Sequence, residues 1–315
     1  MKIGKAAIGF LLLTCFYLGL LLWVDAKNHV LTQLHLLANA LPFLLGISLL
    51  SYLFRYLRWH WLLSRSGFSV EWKYGLIAYL AGFAFTATPG KVGELIRIRY
   101  FTKVGVPANI SFGAFIYERA LDLIVVLFLA SLAIGRQDLL TLALSFVTIF
   151  LGLLVGLALN SSLLTRLSEF FNQRSWFWLE KLILVVRDGL ASCRYWLTPL
   201  DLMVSLVCGL VAWTLTSYGF MWLLSDLGVS LRPLEAFTIY PMAMLVGAAS
   251  MLPGGVGSTE LSIVLLLGVY GVTSSIATIA AIGIRFATIW FAVLTGFLCL
   301  GFLEASKSKL NDSNI

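Results

Sequence analysis

Glu94, Glu118, Arg119, Asp122, Glu260 and Arg285 stand in or beside long apolar stretches of a 315-residue chain that is 60% hydrophobic and only 12% charged. On insertion scales such a charge costs roughly 2.5–3.5 kcal/mol at the centre of a membrane span, so each of the six needs a partner. Their spacing suggests how they pair, because Glu94 lies 25 residues before Arg119 and Glu260 lies 25 residues before Arg285. Direct pairs, Glu94 with Arg119 and Glu260 with Arg285, and crossed pairs both fit that spacing. A glycine loop precedes each Glu: Pro89-Gly90-Lys91-Val92-Gly93 and Pro253-Gly254-Gly255-Val256-Gly257. Such loops leave backbone N–H groups free where a short helix begins, and a helix N-terminus with an Arg nearby is an anion site. The chemistry these residues suit is recognition of an anionic group. The plainer alternative is a set of buried ion pairs that fix helix register. Asp122, one turn after Glu118, reads as a proton carrier or a counter-ion, and Tyr79 and Tyr240 as hairpin-lining or packing residues.

The loops and charges recur in order. Trp61-Leu62-Leu63-Ser64 is repeated as Trp222-Leu223-Leu224-Ser225, and Gly67, Ser69 and Tyr79 match Gly228, Ser230 and Tyr240 at the same offset of 161. The Pro-Gly loops match at an offset of 164, and Glu94, Gly105 and Arg119 match Glu260, Gly271 and Arg285 at 166. Chance agreement is common for Leu and Val but not for Pro, Gly, Glu and Arg in sequence. The chain is therefore expected to be an internal repeat. Repeat A covers about 38–134 and repeat B about 200–303, within a single transmembrane domain spanning 1–315.

Positioning these residues falls to helices. Solid apolar runs at about 5–24, 38–60, 110–134, 139–159, 200–224 and 274–303 are each long enough to cross a hydrocarbon layer roughly 30 Å thick. Helices satisfy their own backbones there, so the expected fold is an all-α polytopic membrane protein. Two shorter stretches, 75–88 and 235–252, run into the Pro-Gly pairs and read as re-entrant hairpins. Released backbone groups at such breaks are tolerated only against protein or a water-filled cavity. The first run resembles a signal sequence but exceeds the usual apolar length, and reads as an anchor. Basic residues bias to one side of this layout. Lys27, Arg136 and Arg232 fall outside and Arg119 and Arg285 within spans, leaving 17 of the 22 Lys and Arg inside. Six crossings with both termini cytoplasmic follow. The first hairpin is flanked by Arg65, Lys73, Lys91, Arg97, Arg99 and Lys103 and its mate by Asp226, Arg232 and Glu235, so the repeats are expected to enter from opposite faces. Residues 161–198 interleave charges with Leu, Phe and Trp, as in an amphipathic helix lying on the cytoplasmic surface.

Composition removes other classes. A soluble domain carries about 25% charged residues, and mean hydropathy here is +0.95. The net charge of +7 is distributed between spans, which argues for topology and against nucleic acid. Cys15, Cys193, Cys208 and Cys299 have no paired spacing, and His29, His35 and His60 lie away from the Pro-Gly loops. No metal, cofactor or catalytic residue is expected.

Together, Arg55-x-x-Arg58-Trp59, Pro89-Gly-x-x-Gly-Glu94-x-x-Arg97, Glu118-Arg119-x-x-Asp122, Pro253-Gly-Gly-x-Gly-x-x-Glu260 and Arg285 resemble the flippase-like family found as the transmembrane region of lysylphosphatidylglycerol synthases and as stand-alone membrane proteins. The resemblance implies movement of a lipid between leaflets, a bacterial or archaeal cytoplasmic membrane, and no soluble aminoacyl-transferase domain. Pro89, Gly90, Gly93, Glu94, Arg97, Glu118, Arg119, Asp122, Pro253, Gly254, Gly255, Gly257, Glu260 and Arg285 are the expected substrate-binding set, with Arg55, Arg58 and Arg99 as accessory headgroup contacts at the cytoplasmic entrance. The expected substrate is an anionic phospholipid or a polyprenyl-phosphate-linked lipid, and lipid-modifying or glycan-assembly enzymes are the expected partners. The competing readings are a scaffold that presents lipid to such an enzyme, and a membrane-embedded lipid-phosphate transferase. The lipid itself, the direction and energy source of transport and the oligomeric state stay open at this level.

Overall fold

The structure is a computed structural model that describes residues 34–132 and 162–312, apart from position 175, together with positions 145, 149, 152 and 156. The expected span at 5–24 lies outside the described residues, as does nearly all of 139–159. After a 3-10 turn at Leu34–Leu37, helix α1 runs Leu41–Arg65 with Pro42 in its first turn, where its missing N–H would have had no partner. Helix α2, Trp72–Ala81, continues through a 3-10 turn at Gly82–Phe85 into the Pro89–Arg97 segment and the short α3, Ile98–Lys103. Helix α4 is Ala108–Ser131. Helices α5, Ser162–Gln173, and α6, Phe177–Ser192, follow. The second half begins with α7, Pro199–Asp226, capped by the Thr198 hydroxyl accepting from the Asp201 amide at 3.2 Å. It continues with α8, Pro233–Ala249, a 3-10 turn at Pro253–Gly255, α9, Ser258–Val269, and α10, Ser274–Arg285. A π-helical turn at Phe286–Trp290 joins α10 to α11, Phe291–Asp312.

Every described element is helical. Of the described stretches, Pro199–Asp226 and Ser274–Ser306 are by themselves long and apolar enough to cross a membrane. Helices α1 and α4, of 25 and 24 residues, have comparable length but carry the site's charges. The two halves follow one order of elements: long helix, glycine turn, shorter helix, Pro-Gly break, helix, glycine turn, helix. Even the backbone signs agree. Gly67 and Gly228 have φ of 87° and 75°, Gly90 and Gly254 58° and 61°, and Gly105 and Gly271 87° and 78°. Both expected re-entrant stretches stop at the Pro-Gly pair, because proline cannot donate and the residues after it turn left-handed.

Helices α1 and α7, which open the two halves, pack on each other, and the Ser51 hydroxyl donates to the Ala212 carbonyl across them at 3.0 Å. One apolar core gathers Trp59, Tyr79 and Phe101 in the first half; another gathers Phe220, Leu223 and Ile263 in the second. A small third cluster, Ala87, Ile289 and Val293, sits where the halves meet. Helix α11 closes the first half from the far end of the chain. Gly296 lies so near residues 83–84 that an added Cβ would be 2.0 Å from the Ala84 nitrogen.

Residues 161–198 do not form one surface helix. They form a helical hairpin whose second arm, α6, packs along α4. Its small residues explain the contact: a Cβ on Gly113 would fall 2.6 Å from the Gly189 carbonyl oxygen. The segment ends in an anchored turn, where Trp196 donates to the Leu62 carbonyl at 2.8 Å and Tyr117 donates to the Trp196 carbonyl at 2.9 Å.

Candidate functional site

The Pro-Gly breaks carry the chain inward, and α1 and α4 supply the charges that meet them. Glu118 on α4 is the hub. Its Oε1 lies 3.0 Å from Arg58 Nη2 and 3.1 Å from Arg119 Nη2, and its Oε2 lies 3.4 Å from Arg97 Nη2. The Tyr79 hydroxyl donates to the same carboxylate at 2.6 Å. One turn on, Asp122 is held by Arg55 and Arg58, each at 2.8 Å, and by Arg119 at 3.4 Å. Arg58, Arg97 and Glu118 are buried. Arg97 is also wrapped in aromatic rings, with its guanidinium carbon 4.2 Å from the Trp59 centroid and 4.5 Å from that of Tyr79.

Two pairings were open from the 25-residue spacing, and the halves differ. In the second half the direct pair forms, with Arg285 Nε 2.8 Å from Glu260 Oε1, and Arg285 Nη2 also donates to the Gly254 carbonyl at 2.6 Å. In the first half Glu94 binds Arg97 at 3.1 Å and the Thr86 hydroxyl at 2.7 Å, leaving Arg119 to Glu118 and Asp122. The reason is local. Glu94 and Arg97 share one turn of the Pro89–Arg97 segment, three residues apart, and face each other without help from another helix.

The loop amides are also more committed than free loops would be. Gly93 N–H donates to the Thr88 hydroxyl at 2.7 Å, Gly255 N–H to the Leu252 carbonyl at 2.9 Å, and Gly257 N–H to Glu260 at 2.8 Å. Recognition of an anion therefore falls to side chains. Arg55 and Arg58 lie in the interior cluster rather than at a surface entrance, whereas Arg99 stays at the surface, 3.5 Å from Glu304.

A chamber of about 90 Å³ opens beside this network and draws Arg55, Lys91, Glu94, Arg119 and Arg285 to one lining. It adjoins a second chamber of about 190 Å³, reached past the same Lys91, Arg119 and Trp213 and walled by Leu123, Val126 and Leu245. Exposed Met251 and Leu252 stand at the rim of that apolar side. The lining is short of acceptors. Arg119 Nε and the Trp213 indole nitrogen are buried without a hydrogen-bond partner, and among the described residues the Lys91 ammonium joins no ion pair. Each unmet buried donor costs about 1–3 kcal/mol, so the chamber favours an acceptor-rich occupant.

Pro89, Gly90, Gly93, Pro253, Gly254, Gly255 and Gly257 shape the breaks around these chambers, while Glu118 and Arg97 stand behind the lining as its support. Sequence reasoning passed over Lys91, Thr86 and Trp213. For Lys91 a signal existed. The repeat aligns it with Gly255, and both turn left-handed, at φ 57° and 64°. A lysine held where glycine is preferred points to a use for its charge. Thr86 and Trp213 carry no such mark.

Loss of the Tyr79 hydroxyl should be felt through Glu118. Tyr79→Phe removes a short bond to a charged acceptor, and the expected destabilisation is about 1.5–3 kcal/mol, measured by thermal unfolding in detergent. A change below 0.5 kcal/mol would show that the arginines alone hold Glu118.

Helices broken at Pro-Gly pairs around a cation-lined chamber beside an apolar one define the class of a helical membrane protein with an interior cavity. The chain belongs to the family described as the lysylphosphatidylglycerol synthase transmembrane region, whose model matches residues 6–296. It is also 20% identical, over 334 residues and 98% of each chain, to the UPF0104 membrane protein MJ1595 of Methanocaldococcus jannaschii. No solved structure matches it.

Proposed function

We propose that the protein moves an anionic lipid between membrane leaflets, holding the headgroup in the polar chamber while the tails stay in the apolar one and in the bilayer. The observation that carries this reading is the lining itself: Arg119 and Trp213 border both chambers, each with one buried nitrogen that finds no acceptor among the described residues, and beside them Lys91 joins no ion pair there. An aqueous anion would need only the first chamber. The adjoining apolar wall gives a tail somewhere to lie.

Translocation also needs access from both sides. The matched order of elements and the shared left-handed glycines support an internal repeat; the bias of Lys and Arg along the chain supports the halves being inverted, with six crossings and both termini cytoplasmic, in a cytoplasmic membrane. In that arrangement each Pro-Gly break is reached from its own face, and rocking of the halves exposes the headgroup site alternately. Enzymes that modify the lipid or build glycans on it are the natural partners.

The test is reconstitution of the full chain into liposomes holding fluorescent phosphatidylglycerol or a fluorescent polyprenyl phosphate, read as exchange between leaflets. The wild type should exchange lipid, and the Arg119→Ala, Arg285→Ala double variant should do so at least about tenfold more slowly, equivalent to about 1.4 kcal/mol. Wild-type vesicles no faster than protein-free ones, or equal rates in the double variant, would sink the reading. For the topology, a cysteine placed at Ser230 should react with an impermeant reagent from outside.

A further inference from the structure

The charges around the polar chamber do not balance. Arg55, Arg58, Lys91, Arg97, Arg119 and Arg285 contribute six positive charges, against four negative ones from Glu94, Glu118, Asp122 and Glu260. Nearby polar neighbours offer no compensation. Tyr52 and Tyr240 in the lining are neutral phenols, and Asp201 is spent on Arg65 at 2.8 Å outside the cluster. Among the described residues two positive charges are therefore left over, at a site whose supporting side chains Arg58, Arg97 and Glu118 are buried, and an uncompensated charge there is expensive. The surplus is local to the first half, since Arg285 and Glu260 cancel.

The surplus selects among anions. A phosphodiester headgroup such as that of phosphatidylglycerol carries one negative charge. A phosphomonoester carries close to two above its second ionisation near pH 6. We infer that the chamber is a phosphomonoester site, built to neutralise a dianionic headgroup rather than a diester. This deepens, and rests on, the reading of the chamber as a headgroup site. Of the groups facing the ligand, Lys91 supplies one of the two unbalanced charges, because it alone among the lining cations has no carboxylate partner. Its backbone at φ 57° suits glycine, so Lys91→Gly deletes the charge at a position where the fold prefers the replacement.

The test compares soluble short-chain lipids of equal tails on the purified full chain in neutral detergent, with binding read by calorimetry. At pH 7 dioctanoyl phosphatidate should bind at least about tenfold more tightly than dioctanoyl phosphatidylglycerol, and at pH 5, where the monoester retains about one charge, the two should agree within about twofold. Lys91→Gly should bring phosphatidate down to the level of the diester without lowering the unfolding temperature, and Lys91→Arg should keep the preference. Equal affinities at pH 7, or a preference undiminished in Lys91→Gly, would overturn the inference. Inorganic phosphate and glycerol 3-phosphate form the soluble arm. Should either bind as tightly as phosphatidate, the dianion assignment stands and the lipid reading falls. If the preference holds while leaflet exchange fails, translocation alone is refuted.

Discussion

Glu118→Ala lowers the stability of the folded protein by about 3–5 kcal/mol, the range seen when one partner of a buried ion pair is removed. Three guanidiniums converge on this carboxylate, and its removal takes the cluster from two unbalanced positive charges to three, with Arg58 and Arg97 buried. The unfolding temperature in detergent is the measurement, and a second substitution separates charge from packing. Adding Arg58→Met to Glu118→Ala removes a cation that has lost one of its two carboxylate partners, Asp122 at 2.8 Å being the other, and should return part of the loss. If the double variant is as unstable as the sum of the single ones, then Glu118 and Arg58 do not act on each other, and the hub description is wrong. Glu118→Gln, which keeps the shape and an acceptor for Tyr79, should fall between wild type and Glu118→Ala.

Gly296→Val should do comparable damage by different physics. At this position the obstacle is backbone, with the Phe83 carbonyl carbon at 2.5 Å and the Ala84 nitrogen at 2.0 Å from an added Cβ. No rotamer relieves that, so α11 and the turn at Gly82–Phe85 must separate, and that turn leads directly to Thr86 and Glu94. The expected cost is at or above the top of the usual range of about 1–3 kcal/mol for overpacking. Thermal unfolding reads it, and phosphatidate binding should weaken along with it. Gly301→Val, one position in the same helix with open space around it, is the control and should change little. Equal stability of the two variants would mean that α11 does not press on the first half.

Much of this architecture could be read from the chain. The breaks were legible because proline and glycine act locally, and the repeat was legible because four residue types that rarely coincide did so in order. For Glu260 the chain offered Arg285 at 25 residues or a crossed partner, and only the structure selects the direct pair; each of the two is the one charge on its element, so no short-range rival intervenes. Glu94 defeated that logic, because Arg97 is on its own turn and no pattern at long range announces a short-range rival. Arg55 and Arg58 misled in another way. Basic residues near the end of an apolar run usually mark a membrane surface, and only the packing of α1 against α4 shows that these two turn inward to Asp122 and Glu118. The 161–198 segment read as one helix because its charges interleave with apolar residues throughout, while the contact that holds its second arm, Gly113 on Gly189, leaves no polar trace in sequence.

The contact between the two Pro-Gly breaks has a mechanical meaning. A Cβ at Gly254 would lie 2.5 Å from Ile289 Cδ1 and 3.3 Å from Ala87 Cα, so the loop of one half rests directly on the approach to the other. The contact is thus a seam between two parts of the chain, with Ala87 on one side and Gly254, which also lines the chamber, on the other. A seam parts only when both margins yield. In the proposed lipid exchange, a substitution that loosens one half alone would leave the other margin of this seam in place.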